Sequence, residues 1–268
     1  MTSGKWLLII PLLAFAGAVH ASSIWDSMGL PSAIGGDGPP AGILSPNAKQ
    51  GFGGSIALGY IATSGNTNTS SIDFSLDGTY TMHHWFHSMA LNAQRVRSEE
   101  ETTVERLDFD GQSNYLFNEH NYMFGHLAYS RNEFGAFAWR TSEAFGYGRR
   151  ILGGGDQTLD FEAGIGARQT RFQTKPAPDV DQQKTSAIVR LGGKYEWQFS
   201  ENGSFGQAIA IEAGSDNTYT ESITSLRANL MSALAVILSY TIKHNSQLPA
   251  GNLANTDTYT TVSLQYTF

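Results

Sequence analysis

The feature that most constrains this chain is an apolar–polar alternation that begins after Gly51 and recurs, segment after segment, to the final residue. It is clearest from Ser71 to Met82. There Ile72, Phe74, Leu76, Tyr80 and Met82 share one parity, and Asp73, Ser75, Asp77, Thr79 and Thr81 share the other. Successive strand side chains point to opposite faces, so such a segment has one greasy face and one polar face. A soluble sandwich also alternates; number and length of segments separate the two cases. Apolar rows recur at Ile56–Tyr60, Met89–Ala93, Leu107–Tyr115, Met123–Tyr129, Leu159–Ile165, Val189–Trp197, Ile209–Ile211, Leu226–Leu230, Val236–Ile242 and Val262–Phe268. The stretch Arg140 to Arg149 is the least regular, because Phe145 and Tyr147 share parity with Glu143. Twelve segments result. Spanning strands need about 9 to 11 residues and come in even number in bacterial barrels, whereas soluble strands average about 5 to 6. The expected fold is therefore all-β, a single antiparallel transmembrane β-barrel of about 12 strands with no helical domain.

The residues before Gly51 read differently. Lys5, the apolar run Trp6 to Ala16 and the small-residue site Val19-His20-Ala21 form a secretory signal over residues 1–21, with the mature chain starting at Ser22. Residues 22–50 are dense in Gly and Pro without any period, as a flexible periplasmic leader would be; the alternative is a plug anchored by Trp25 and Ile43. The barrel then occupies residues 51–268. The chain has no cysteine, so disulfides contribute nothing. A net charge of -7 argues against a nucleic-acid partner.

Connection lengths supply an independent test. With Phe268 on the periplasmic side, short turns fall inside near Ser232 and at Ser200–Gly203, Leu152–Asp156, Asn118–His120 and His83–His84. Outside fall His244–Asp257, Gly214–Thr220, Phe172–Lys184, Arg131–Gly135, Ser98–Thr103 and Ser64–Asn68, which are broadly longer, as such barrels require.

Polar-face parity directs Asp73, Asp77, Asp108, Asp110, Asp160, Glu162, Glu196 and Glu212 into the lumen together with Arg106, Arg168, Arg190, Lys194, Arg227 and Lys243. Mixed signs fit either a narrow water-filled pore with a transverse field or a lumen filled and braced by paired charges. No metal or cofactor is expected. His83, His84 and His87 cluster, but adjacent strand residues face opposite ways; these histidines, with His120, His126 and His244, read as interfacial turn residues. The run His244-Asn245-Ser246 does not make a hydrolytic triad, because consecutive residues do not converge.

Five stretches, GYIATSGNTNTSSIDFSLDGTY, TSEAFGYGRRIL, SAIVRLGGKYEW, LSYTIKHNSQLPAG and DTYTTVSLQYTF, resemble the YdiY-like family, salt-induced outer-membrane proteins classed as a domain of unknown function. The resemblance covers nearly all of residues 51–268 and implies one outer-membrane barrel, with Tyr266 and Phe268 as the terminal signal read by the barrel-assembly machinery. Expected partners are outer-membrane lipid, that machinery and periplasmic chaperones, with the barrel a monomer. Three roles remain open: a narrow passive channel for small polar solutes or ions linked to salt or osmotic stress, a non-conducting structural or stress-response barrel, and an outer-membrane hydrolase. The reading favours no enzyme. N-terminal sequencing of protein isolated from membranes should begin at Ser22, and a retained Met1 would refute the signal assignment.

Overall fold

The computed structural model describes residues 51–63, 69–98, 101–134, 136–173, 181–248 and 255–268. The expected signal peptide and leader lie outside the described residues. Twelve strands run in chain order: β1 (Gly51–Thr63), β2 (Thr69–Met82), β3 (Trp85–Ser98), β4 (Glu101–Leu116), β5 (Asn121–Asn132), β6 (Phe137–Gly154), β7 (Gln157–Phe172), β8 (Gln183–Ser200), β9 (Gly203–Gly214), β10 (Thr218–Met231), β11 (Leu234–Asn245) and β12 (Thr256–Thr267). Each pairs antiparallel with its sequence neighbour, and β1 pairs with β12 to close the barrel.

Closure follows from the solvent. In hydrocarbon an open edge leaves N–H and C=O groups unpaired at several kcal/mol each. At the seam the Phe268 N–H donates to the Gly54 carbonyl at 2.9 Å, and the Gly54 N–H donates back to the Phe268 carbonyl at 3.2 Å. A Cβ at residue 54 would sit 2.9 Å from the Phe268 ring, so glycine is what lets the terminal ring lie across β1. The last residue is thus a structural part of the ring.

The outward rows are those expected from parity. Leu58, Ile72, Met89, Phe145, Ile165, Val189, Leu264 and Tyr266 are all exposed, which in water would be a large apolar liability and here is the lipid face. Among the described residues no helix is long and apolar enough to cross a membrane; strands make the crossing. Aromatic residues pack against one another toward the turn-rich end, where Trp85 meets Tyr115 edge-on, Tyr115 meets Phe117, and Trp197 meets Phe199. They form the interfacial girdle at that end.

Five connections at that end are tight: residues 83–84, 117–120, 155–156, 201–202 and 232–233. In the first, His83 takes φ of 50°, and in the third Gly155 takes 67°, the left-handed conformation that two-residue hairpins use. The opposite connections are less uniform than anticipated. Strands of 12 to 18 residues extend past the bilayer, so the β9–β10 connection shrinks to residues 215–217.

The irregular segment is β6, at 18 residues among the longest strands, with register shifts between Phe137 and Trp139 and between Arg150 and Leu152. Glu143 does point outward. It is exposed, flanked in register by Leu127 and Ala167, and sits midway along the row between Trp139 and Tyr147. Every other charged residue on the described outer face lies nearer a strand end. A mid-bilayer carboxylate is destabilising. Glu143→Leu should raise the unfolding free energy measured in lipid vesicles by about 1 to 2 kcal/mol; an unchanged or lowered value would show that the carboxylate is not lipid-exposed.

Candidate functional site: a layered lumen

The fourteen charges assigned to the lumen by parity are buried or half-buried, on rows that alternate with the exposed apolar side chains. What parity does not reveal is their pairing. At the tight-turn end the lumen is filled. Phe86, Leu116, Tyr122 and Phe124 form a buried apolar cluster, each at most 3% exposed. The Tyr122 ring lies over Gly148, where a Cβ would meet it at 2.2 Å, so the strand-pair floor beneath the ring must be glycine. Tyr122 Oη donates to Glu162 Oε1 at 3.0 Å, and Gln112 Nε2 donates to the same oxygen at 2.7 Å. This joins β4, β5 and β7 across the interior.

Around the same level, Arg150 forks onto Asp160 with two bonds of 2.9 Å, and Lys194 lies 3.1 Å from Glu196. Arg227 donates to Gln265, Gln265 donates to Ser55 at 2.8 Å, and Ser55 donates to Asp77 at 3.3 Å, a chain running from β10 through β12 and β1 to β2. Asp110 accepts from His126, with Nε2 at 2.7 Å. Asp73 accepts from Gln94 at 2.6 Å.

The half away from the tight turns is different. A cavity of about 300 Å³ opens there, lined by Arg106, Arg140, Tyr219, Glu221, Lys243 and Tyr259 among others. Its floor is Lys243, whose Nζ is 3.0 Å from Asp108 Oδ2 and 3.3 Å from Glu221 Oε1. Beyond that floor, toward β2, β3, β11 and β12, a second cavity of about 80 Å³ is lined by Ser75, Asn92, Ser239 and Thr261. Both cavities share Arg106, Asp108, Glu221, Lys243 and Tyr259, and the Lys243 contacts to Asp108 and Glu221 form the partition between them.

On the other wall, Glu212 receives Arg190 at 3.1 Å and Ser142 at 2.7 Å, with Arg168 3.9 Å away. Arg168 also donates to the Asn217 carbonyl at 2.6 Å and reaches Asp216 at 3.4 Å, pinning the β9–β10 connection. Burial alone would push the Asp216 carboxyl up. A backbone hydrogen bond and the charges of Arg168 and Lys184 outweigh that and hold it below the usual carboxylate range.

Several lumen residues were not anticipated. Arg140 and Arg150 belong to β6, whose alternation is obscured by glycines and Glu143, yet both share the parity of inward Ser142 and Ala144. Glu221 borders the segment read as an outer connection. The histidines need correcting: His126 is not an interfacial turn residue but a buried lumen group on β5, and His87 lies within β3 with Nδ1 2.8 Å from Ser113 Oγ. The alternation of Met123, Leu127 and Tyr129 already placed His126 on the inner face.

Comparison with known proteins follows the same outline. The family described as "Protein of unknown function, DUF481" matches residues 56–268. The uncharacterized protein YdiY of Escherichia coli (strain K12) is 28% identical over 220 residues, spanning 82% of this chain and 84% of the relative. Among solved structures, the NanC porin is similar at TM-score 0.48 and 10% identity, covering 80% of this chain and 97% of its own. An outer membrane channel from Pseudomonas putida F1 is similar at TM-score 0.47 and 10% identity, with 82% and 96% covered.

The partition makes a sharp energetic prediction. Lys243→Met leaves Glu221 and Asp108 buried without their shared cation, and breaking a buried pair from one side costs about 3 to 5 kcal/mol. Denaturant unfolding in lipid should show a loss of that order. A loss under about 1 kcal/mol, the level of an exposed pair, would mean that water already solvates the carboxylates.

Proposed function

The chain belongs to the DUF481 family, whose function is itself unknown, and we propose that it is an outer-membrane barrel closed to passive flow at rest, presenting a polar cup to the exterior. The observation that carries this is the filled base of the lumen: Gln265 and Asn114 are wholly buried, and Phe86 and Tyr122 are 1% exposed, so side chains occupy that level of the interior. An even-stranded closed barrel with an apolar exterior suits the bacterial outer membrane. The remaining features belong to this proposal as well. The chain arrives by a cleaved signal peptide, Tyr266 and Phe268 engage the assembly machinery, and the finished barrel works as a monomer without catalysis. A link to salt or osmotic stress fits a structural brace of the envelope.

A second reading is a narrow channel that opens on rearrangement. The two cavities that meet at the Lys243 partition favour it, since moving one side chain would join them. Planar-bilayer recording separates the readings. The resting-closed barrel should give no conductance steps, while Tyr122→Ala combined with Phe124→Ala should create them. Steady open steps from the unaltered protein would overturn the closed reading.

A further inference from the structure

The outward cavity contains one guanidinium, that of Arg140, with no described carboxylate at ion-pair distance. Among the described residues, Asp108 and Glu221 are met by Lys243, with Arg106 Nε 4.0 Å from Asp108; Glu212 and Asp216 are met by Arg168 and Arg190. Lys184 Nζ also lies 4.0 Å from Asp216 Oδ2. Arg140 lines the same cavity and makes no ion pair with any described carboxylate. Its guanidinium is held in place. Nη2 donates to Asn245 Oδ1 at 2.9 Å, and the guanidinium lies 4.3 Å from the Phe137 ring centroid and 4.8 Å from that of Tyr219.

Arg140 Nε is shielded from the surface and has no acceptor. Arg106 repeats the arrangement from another wall: it lies 4.5 Å from the Tyr259 ring centroid, donates to Tyr259 Oη at 2.6 Å, and leaves its own Nε without an acceptor. Buried N–H groups are almost always satisfied, and the Nε donors of Arg106, Arg140 and Arg190, which all line this cavity, have no acceptor; of the three, only Arg140 also has no carboxylate within ion-pair distance. Water would satisfy the bonds, but it would not neutralise Arg140. The guanidinium fork matches a carboxylate, and aromatic faces that already fix the fork reduce the entropy lost on binding. The volume of about 300 Å³ is at the small end of ligand pockets. The acids in its wall do not repel such a ligand strongly, because Asp108, Glu221 and Glu212 are each neutralised by neighbouring cations, while Asp257 is exposed at the rim.

We infer that the outward cavity is a binding cup for a small carboxylate-bearing solute of sugar-acid size, gripped by Arg140 and Arg106. It rests on the outward cup of the proposed function and not on whether the base conducts.

The test is calorimetric titration of the full chain in lipid nanodiscs with glucuronate, using glucose as the neutral counterpart. Glucuronate should bind at least about tenfold more tightly than glucose, and Arg140→Gln and Arg106→Gln should each weaken it about tenfold to a hundredfold, the scale of a charge-assisted hydrogen bond. Variant folding is checked by heat-modifiable migration. A second measurement needs no variant: the Arg140 and Arg106 Nε–H resonances of the unaltered protein should shift on adding glucuronate. Equal affinity for the two sugars, undiminished binding in both folded variants, or absence of both heat and shift would overturn the cup. Bilayer recordings address the closed base separately, so failure of either idea is read without the other.

Discussion

Hydrocarbon offers no hydrogen-bond partner to a peptide group, and the rest of this structure depends on that constraint. A sheet in lipid must satisfy its backbone internally, which forces β12 back onto β1 and makes the Phe268–Gly54 exchange part of the wall. Once the ring is closed, alternation has no freedom left. Every second side chain meets lipid, and every other one is confined to an interior only twelve strands around. The carboxylates and guanidinium groups of the inner rows cannot escape to bulk water by choosing another rotamer.

Confinement explains why the lumen is organised in layers. A charge in such a space needs a partner or water, since desolvation otherwise costs several kcal/mol. Near the tight-turn end, partners are side chains: Arg150 with Asp160, His126 with Asp110, and Gln112 and Tyr122 with Glu162. The apolar rings of Phe86 and Phe124 then exclude water from the same level. Toward the other end the side chains recede and leave a cavity, and there Arg140 is held by Asn245 and two aromatic faces in place of a carboxylate. The distribution of pairing along the barrel axis thus identifies the end that exchanges with the medium.

Strand number, strand order and the facing of nearly every residue were legible in the sequence, because lipid and lumen impose period 2 with little noise. The exception, β6, shows why legibility fails locally. Gly146 and Gly148 carry no side-chain signal, Glu143 sits on the wrong face, and two bulges shift the register, so Arg140 and Arg150 escaped notice. Pairing was not legible at all. Lys243 and Asp108 are 135 positions apart, and Arg106 and Tyr259 are 153 apart; they meet across the barrel, where adjacency depends on tilt and side-chain length and not on sequence spacing. Connection lengths misled for a related reason, since strands that continue beyond the bilayer absorb residues that polarity alone assigns to loops.

Whether such a lumen ever conducts is a question of energy differences. Uniting the two cavities requires Lys243 to leave Asp108 and Glu221, and opening the base requires Tyr122 to leave both Glu162 and the glycine floor at Gly148. Breaking one buried pair at about 3 to 5 kcal/mol allows an open population on the order of 1 in 100 to 1 in 10,000. Two independent barriers in series multiply such fractions. On the resting-closed reading proposed above, these contacts make openings rare. For the barrel to pass a solute at a useful rate, something must bind the open arrangement more tightly than the closed one.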